Sequence, residues 1–366
     1  RLNVAIVAPT LSMLGGQSVQ AGQLLAGWNR DPDVHAWLVP INPEPAGSIG
    51  PLARVKYART LVTQAAYWPL LWRELRRADV VHVFSASYAS FLLSPLPAIL
   101  VARWLGKPVL LNYHSGEAPD HLRRSRVTRR ALAHVRHIVV PSRFLSDVFG
   151  TFGFQAEVIP NVIDRERFRF RLRQRPQPRF LSTRNLEPLY NVACTLRAFG
   201  HIQARYPEAT LTVVGAGSQD TALRRLAEAL GLRGVAFVGR IPPADMPRHY
   251  AGADIYLQSP DIDNMPLSVL EAFSSGLPVV STEAGGVPAI LTNGVHGLLT
   301  PLDDDRQIAA AVLRLLEEPG LAARLARAAH DSTEAFAWHQ VRDRWLSAYR
   351  RLSRAPFGAV SPLETA

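Results

Sequence analysis

Short apolar runs bounded by Gly, Pro and Ser alternate along this chain with longer segments in which apolar residues recur every three or four positions. The short runs predict buried strands and the periodic segments predict helices. In the first half, the predicted strands cover 2–9, 34–40, 78–85, 108–115, 137–142 and 157–163. In the second half, they cover 179–185, 209–217, 235–240, 254–259, 278–282 and 297–301. Because helices separate successive strands, the pattern predicts an α/β protein with two doubly wound parallel sheets.

A break in this alternation separates the two series. Residues 165–178 lack the apolar spacing of a packed helix and contain Pro176 and Pro178, which predicts a linker. We therefore predict an N-terminal Rossmann-like domain over 1–164 and a C-terminal one over 179–337. Since ligands bind at the carboxyl ends of the strands in such sheets, two facing sheets predict a cleft between the domains.

The segment 259–288 contains the most informative chemistry. Its sequence predicts a strand end, an acidic loop, a helix and then an apolar strand. Pro266 suits the first helical turn, and Gly276 suits a left-handed C-terminal cap. Asp263 and Glu271 would lie roughly 12 Å apart if the spacing were helical throughout, at 1.5 Å per residue. The helix N-terminus between them favours a phosphate.

This segment resembles the retaining glycosyltransferases of the GT-B fold, family GT4. In that family two Glu residues separated by seven positions precede A-x-x-x-G-x-P-V-V and a Gly-Gly turn. The resemblance implies that Glu271 holds the ribose hydroxyls of a nucleotide sugar and that Asp263, one methylene shorter than the usual Glu, lies near the sugar. It also implies that the loop between them contacts the sugar and the diphosphate. That loop consists of Asn264, Met265, Pro266 and Leu267.

The resemblance extends to the first half of the chain. Family members have a glycine-rich loop after the first strand, and Gly15 and Gly16 stand there. Glycine permits close approach of the backbone to a diphosphate and its sugar. His114 matches a family His that faces the donor sugar. His82 matches another, usually structural, and a final helix over about 338–353 is implied to pack back on the N-terminal domain.

The second domain departs from the family at one charge. Family members place an Arg after the first strand and a Lys about five residues later, and both hold the diphosphate. Arg184 matches the first, but the Lys position falls near Tyr190, and this domain contains no Lys. Either another base such as Arg240 supplies the charge, or the leaving group is held less tightly. Gly217 matches the turn that follows a family strand.

The resemblance therefore implies a retaining glycosyltransferase of the hexosyltransferase type. The donor would be a UDP- or GDP-sugar, and the acceptor a glycan or a lipid-linked saccharide, as in bacterial polysaccharide biosynthesis. Two alternatives stay open: a catalytically silent GT-B protein that binds nucleotide sugars or acts as a scaffold, and a UDP-sugar epimerase of the same fold. We expect no cofactor and no metal, although Asp261 and Asp263 spell the D-x-D pattern of metal-dependent transferases.

The cysteine content and the hydropathy of the chain indicate the cellular compartment in which the protein is found. Cys194 is the single cysteine, which excludes a disulfide framework and a cysteine metal cluster. The chain opens on a strand pattern and not on a signal peptide. The apolar stretch 88–105 is too short and too interrupted to span a bilayer, and we expect a buried helix there. These features predict a cytoplasmic protein.

Charge is unevenly distributed. Residues 1–175 contain 23 Lys and Arg against 11 Asp and Glu, whereas residues 176–366 contain 18 against 19. Basic clusters occur at 73–77, next to Tyr67, Trp68 and Trp72, and at 122–137. Arg interleaved with aromatic residues is typical of a surface that meets anionic lipid. A solvated helix face and a nucleic-acid surface are the alternatives. Since no nucleic-acid module occurs, we expect no nucleic acid but a peripheral position at the inner face of the cell membrane.

Overall fold

The computed structural model describes residues 1–10, 15–43 and 56–354. Its contacts divide the chain into two compact units. One unit contains Arg1–Val162 together with the chain from Val341 onward, and the other contains Ile163–Gln340. None of the helices in the described part of the chain combines the length and the hydropathy that crossing a bilayer requires.

The described part of the first unit contains one parallel six-stranded sheet, in the order β2-β1-β3-β4-β5-β6. Its strands are β1 (Leu2–Ala8), β2 (Val34–Pro40), β3 (Val80–Ser85), β4 (Val109–Tyr113), β5 (His137–Val140) and β6 (Ala156–Val158). Its helices up to β6 are α1 (Gly16–Trp28), α2 (Lys56–Leu75), α3 (Tyr88–Leu93), α4 (Pro95–Trp104), α5 (Ala118–Arg124), α6 (Arg126–Leu132) and α7 (Arg143–Thr151). Every residue of β3 and β4 is buried, as expected of central parallel strands covered on both faces.

The single helix predicted over 88–105 is two helices. The chain turns at Ser94, whose φ of −130° and ψ of −68° are not helical, and Pro95 begins α4. Proline has no N–H to continue the preceding helix but suits a first turn. Burial is also uneven, because α4 contributes Ile99 and Val101 to the core while Trp104 is exposed.

The described residues of the second unit form another parallel six-stranded sheet, in the order β12-β11-β10-β7-β8-β9. Its strands are β7 (Arg179–Ser182), β8 (Thr210–Val214), β9 (Val235–Gly239), β10 (Ile255–Gln258), β11 (Val279–Thr282) and β12 (Leu298–Thr300). Its helices are α8 (Val192–Arg205), α9 (Asp220–Ala229), α10 (Met246–Gly252), α11 (Leu267–Ser274), α12 (Asp305–Glu317) and α13 (Leu321–Ser332). Both sheets reverse their winding direction once, so the predicted pair of doubly wound α/β domains is confirmed.

Residues 165–178, predicted as a linker, lie within the second unit. Phe168 is buried there, and the Arg173 side chain is inserted among backbone carbonyls. Its guanidinium donates to the carbonyl oxygens of Tyr250 and Ala253 at 2.9 Å each. The sequence alone does not predict this packing, because a segment of alternating Arg and apolar residues is typical of a solvated linker. The carbonyl oxygens that accept from Arg173 belong to residues far away along the chain.

The last helix, α14 (Trp338–Arg354), belongs to the first unit from Val341 onward. Tyr349 and Trp345 are buried and pack beside His82 of β3, with the Tyr349 hydroxyl 2.7 Å from His82 Nδ1. Arg342 adds ion pairs with Asp31 and Asp33 at 2.8 and 2.6 Å. Helix α14 therefore completes the core of the first unit.

Candidate functional site

The second sheet reverses its winding between β7 and β10, which are hydrogen-bonded neighbours. In an open parallel sheet, the crevice beyond the strand ends at such a switch point is where ligands bind. The loop after β7 contains Arg184, and the loop after β10 contains Asp263. The topology therefore brings together two predicted site residues that are 79 positions apart in the sequence.

Arg184 and Asp263 form a buried ion pair. Arg184 Nη2 lies 2.7 Å from Asp263 Oδ2, and the two side chains keep only 9% and 10% of their exposure. Arg184 Nη1 donates to the Ser268 hydroxyl at 3.1 Å. The guanidinium carbon lies 4.1 Å from the centre of the Tyr190 ring, within cation–π range. Burial raises the pKa of the Asp263 carboxyl, and Arg184 opposes that rise.

Tyr190 therefore covers a face of Arg184 and supplies no second positive charge. Arg240, suggested as a substitute, follows the edge strand β9 and is exposed. Among the described residues, its side chain makes no hydrogen bond or ion pair with Arg184 or Asp263. Of the three residues considered as phosphate ligands in the described second unit, Arg184 is therefore the cation that lies at the switch point. Its guanidinium is already paired with the Asp263 carboxylate.

The loop that begins with Asp263 folds tightly. The Asn264 N–H donates to Asp263 Oδ1 at 2.9 Å, and the Gly286 N–H donates to the Asp263 carbonyl at 3.1 Å. A Cβ on Gly286 would lie 2.1 Å from the Asn264 carbonyl oxygen, so only glycine permits this approach. Met265 is buried, and the Asn264 N–H predicted to contact a ligand is bonded within the loop.

Helix α11 begins at Leu267, and Pro266 is its extended N-cap and not its first helical residue. The predicted helical spacing from Asp263 to Glu271 is therefore wrong for its first four positions, which form the folded loop. At the other end, Gly276 has a φ of 70°, as predicted for a left-handed cap.

Glu271 lies on α11 with one oxygen held and the other open. The Tyr250 hydroxyl donates to Oε2 at 2.8 Å, whereas Oε1 accepts no hydrogen bond from the described residues. Burial raises the pKa of the Glu271 carboxyl to about 7, while the Tyr250 hydrogen bond and the charges of Arg167 and Arg184 oppose the rise. Above that pKa the group is ionised, and its open Oε1 can accept further hydrogen bonds from a hydroxyl-bearing ligand.

A buried polar network connects the two acids. From Glu271 it passes through the hydroxyls of Tyr250, Thr183 and Tyr256 to Gln258, with contacts of 2.8, 2.9, 3.3 and 3.2 Å. Ser268 then links Gln258 to Arg184. The sequence alone did not identify these five network residues, because no motif marks them and tyrosines in apolar surroundings first predict core packing.

Gly217 has a structural reason to be glycine. A Cβ there would lie 2.3 Å from the Leu186 carbonyl oxygen, where two loops cross at the strand ends. The neighbouring Ser218 N–H donates to Glu187 Oε1 at 3.0 Å and holds the same crossing. The predicted contact of Gly217 with the nucleotide-sugar donor stays a prediction.

In the first unit, Gly15 and Gly16 lie at the start of α1, and among the described residues no packing neighbour would lie within 4 Å of a Cβ at either position. Gln17 connects this turn to the next strand end, because its amide donates to the Ser85 carbonyl at 3.1 Å. The same carbonyl accepts from the His114 N–H at 3.2 Å. The structure therefore places the predicted glycines and His114 at one edge of the sheet, with Gln17 as an additional residue.

His114 stacks on Phe84 with ring centres 5.1 Å apart. Burial lowers its pKa to about 3, so the ring is neutral near pH 7. Its Nε2 is buried and has no hydrogen-bond partner among the described residues. An unsatisfied buried nitrogen is costly and marks His114 as a candidate ligand contact.

The two acids of the D-x-D pattern have different partners. Asp261 is exposed and accepts from the Asn191 amide at 2.9 Å, whereas Asp263 pairs with Arg184. In the described ranges, no group of three or more His, Cys, Asp or Glu side chains is placed to hold a metal ion.

Two family models match adjoining parts of the chain. The model described as "Glycosyltransferase Family 4" matches residues 14–167, and "Glycosyl transferases group 1" matches residues 164–332. Together they cover every strand of both sheets except β1.

Curated relatives match at moderate identity. A GDP-mannose-dependent alpha-(1-6)-phosphatidylinositol monomannoside mannosyltransferase of Mycolicibacterium smegmatis is 29% identical over 58% of this chain, which spans 62% of that relative's length. A glycogen synthase of Mycobacterium tuberculosis is 28% identical over 72% of this chain and 67% of its own length.

Solved structures match over almost the whole chain. Sucrose-phosphate synthase from Thermosynechococcus elongatus has a TM-score of 0.77 at 18% identity, covering 96% of this chain and 99% of its own. Anabaena HepE in complex with UDP-glucose has a TM-score of 0.73 at 17% identity, and the match covers 96% of this chain and 100% of the HepE chain. At these identities the likeness establishes the fold.

Proposed function

We propose that this chain, which belongs to the group 1 and family 4 glycosyltransferases of the GT-B fold, transfers a sugar from a nucleoside diphosphate sugar to an acceptor with retention of configuration. The observation that carries the proposal is Glu271 at the switch point of the second sheet, with Oε2 held by Tyr250 and Oε1 open. A carboxylate in this state suits the two adjacent hydroxyls of a ribose. UDP and GDP are the nucleotides we propose.

The proposed chemistry depends on charge stabilisation at the leaving diphosphate. Arg184 would supply that stabilisation, and Gly15, Gly16 and the loop before α11 would supply backbone contacts. We assign Asp263 and His114 to the sugar. Retention in the resembling family is ascribed to attack from the face of the leaving group, so no carboxylate nucleophile is required, unlike in retaining glycosidases. We propose that no metal takes part.

We propose a glycan or a lipid-linked saccharide as the acceptor. The mannosyltransferase among the relatives is named for a phosphatidylinositol monomannoside, and the glycogen synthase for a polysaccharide. These names span both acceptor classes and favour neither.

A docking position at the inner face of the cell membrane would suit a lipid-linked acceptor, and one surface of the first unit supports it. We call this surface the Trp104 face; it comprises Leu61 and Trp72 on α2, Leu92 and Leu93 on α3, and Trp104 on α4. The exposures of Leu61, Trp72 and Trp104 are 72%, 45% and 63%.

The members of the Trp104 face adjoin one another. Leu61, Gln64, Trp68 and Trp72 follow at helical spacing on one side of α2. Gln64 donates to the Leu93 carbonyl at 2.9 Å, and the Trp68 and Trp104 rings lie 6.0 Å apart. Exposed bases are present on or next to the same helices and α6: Arg73, Arg76, Arg77, Arg103, Arg126 and Arg130. This combination of apolar and basic groups is complementary to an anionic lipid surface.

A silent nucleotide-sugar binding protein is the second candidate. It is favoured by the Arg184–Asp263 pair, because the cation expected to hold a diphosphate is already neutralised and Tyr190 adds no charge.

A donor panel tests both candidates. Binding of UDP, GDP and ADP is measured by calorimetry, and nucleotide release is measured from the corresponding sugars. We expect binding and release by the natural protein, and Glu271→Ala to weaken binding by about 100-fold or more, because two hydrogen bonds to a charged group are lost. Glu228→Ala, an exposed glutamate on α9, is the matched control and should bind normally.

The outcomes separate the candidates. Binding without release, even with added glycan acceptors, would identify the silent protein. Recovery of an epimerised sugar would identify the epimerase. Nucleotide affinity retained in Glu271→Ala would refute the ribose assignment.

A further inference from the structure

Tyr250 is fully buried on α10, and its hydroxyl is surrounded by polar groups. The hydroxyl lies 2.8 Å from Glu271 Oε2, 2.9 Å from Thr183 Oγ1 and 3.2 Å from the Ser268 carbonyl oxygen. The ring is fixed on both sides, since it stacks on Tyr256 with centres 6.0 Å apart and meets the edge of Phe168 at 5.5 Å. Tyr250 therefore presents a rigid hydroxyl to Glu271.

A phenol has one proton to donate. Two of its partners can only accept, namely the Glu271 carboxylate and the Ser268 carbonyl oxygen. The carboxylate is the stronger and the nearer of the two, so the Tyr250 hydroxyl donates to Glu271. The Thr183 hydroxyl can in turn donate to the Tyr250 oxygen. Burial raises the pKa of Tyr250 well above its usual value, so the hydroxyl keeps its proton at neutral pH. The hydrogen bond from Tyr250 therefore determines that Oε2 of Glu271 is bonded within the protein, while Oε1 stays open.

We propose that Tyr250 is a positioning residue for donor recognition: its hydroxyl orients the Glu271 carboxylate so that Oε1 and the remaining lone pair of Oε2 accept the two ribose hydroxyls of the nucleotide. This inference rests on the proposed nucleotide-sugar function and adds the residue that makes ribose recognition selective. Without the phenol, the Glu271 side chain could rotate about its terminal torsion, which is a broad and weakly restricted one.

The charged and titratable groups that face Glu271 come from three other elements. They are Arg167 from the 3-10 turn at Arg165–Arg167, Arg184 from the loop after β7 and Tyr250 from α10. The two arginines and the phenol all favour the carboxylate, and burial opposes it. Removing the phenol should therefore make Glu271 take up its proton at a higher pH.

The experiment compares a ribonucleoside diphosphate with its 2′-deoxy analogue. Affinities of UDP or GDP, whichever binds the natural protein more tightly, and of the matching deoxynucleotide are measured by calorimetry between pH 6 and 8.5. We expect the natural protein to prefer the ribonucleotide by about tenfold, the value of one hydrogen bond to a charged group. In Tyr250→Phe the preference should fall to within about twofold, and the pH at which affinity is half lost should rise.

Tyr256→Phe is the matched control. Tyr256 is equally buried and belongs to the same network, but its hydroxyl contacts Thr183 and Gln258 and not Glu271. It should keep both the ribose preference and the pH profile. Because both nucleotides titrate the same sample, partial unfolding of a variant lowers the binding stoichiometry and leaves the ratio of affinities unchanged.

An unchanged ribose preference in Tyr250→Phe would overturn the inference while leaving the proposed function intact. An equal loss in Tyr256→Phe would also overturn it, because the whole network and not Tyr250 would then set the preference. Failure of the natural protein to bind any nucleoside diphosphate would instead overturn the proposed function, and this inference with it.

Discussion

At the residue scale, the pairing of Arg184 with Asp263 is the feature with the largest consequence for a phosphate-bearing ligand. The pair is nearly inaccessible, and Ser268 and Tyr190 occupy two further sides of the guanidinium. A diphosphate would have to compete with the Asp263 carboxylate for the same cation. The spacing of motifs identified both residues, but it could not reveal that they neutralise each other, because that depends on β7 and β10 being neighbours.

We predict that Asp263→Asn strengthens the binding of a nucleoside diphosphate while reducing sugar transfer. Removal of the internal anion leaves Arg184 available to phosphate, and the expected gain is about tenfold, the scale of one charge-assisted hydrogen bond. Calorimetry with UDP and GDP measures the gain, and a transfer assay measures the loss. Asp261→Asn, which alters an exposed carboxylate bonded to Asn191, is the control. Equal or weaker binding by Asp263→Asn would mean that Asp263 orients Arg184 for phosphate.

At the element scale, the turn after β11 supports the loop before α11. The predicted Gly-Gly turn is present, and Gly286 is the member that packs directly on Asn264. The apolar runs predicted the strands well because buried parallel strands are hydrophobic on both faces. The start of α11 and the course of 165–178 were less predictable, because both depend on hydrogen bonds to distant segments.

We predict that Gly286→Ala displaces the loop of Asn264 and Met265 and weakens nucleotide binding by about tenfold or more, since a Cβ at 2.1 Å from a carbonyl oxygen cannot be accommodated without backbone movement. The free energy of unfolding should fall by about 1–3 kcal/mol. Urea unfolding and nucleotide calorimetry check the two effects. Gly252→Ala, where a Cβ would have no packing neighbour within 4 Å among the described residues, should change neither. A normal affinity in Gly286→Ala would show that the loop takes no part in donor binding.

At the scale of the whole molecule, the excess of positive charge lies in residues 1–175, whereas residues 176–366 are nearly neutral, and the Trp104 face lies in the first unit. The sequence left three explanations for the basic half. The structure adds exposed apolar side chains beside the bases, a combination that a purely solvated helix face does not require. The surface proposed to dock on the membrane is therefore formed jointly by several helices.

We predict that the protein floats with vesicles containing anionic phosphatidylglycerol at low salt and dissociates from them at about 0.5 M salt, where the screening length falls to a few ångströms. Each base near the surface contributes about 1 kcal/mol. The double change Leu61→Ser with Trp104→Ser should reduce flotation strongly. Leu302→Ser, which alters an exposed leucine of the second unit, should have no effect. Absence of flotation at low salt would exclude membrane docking through lipid charge.

The sequence by itself determined the two-sheet architecture, the family, and the identity of Glu271, Asp263, Arg184 and His114 as candidates, because hydrophobic periodicity and short motifs are local properties. Only the tertiary structure decided what those residues contact. Asp263 neutralises Arg184, Tyr250 holds Glu271, and residues 165–178 are packed within the second unit. The physical reason is that hydrogen bonds and ion pairs join segments brought together by strand order, and no local pattern encodes a partner that lies far away along the chain.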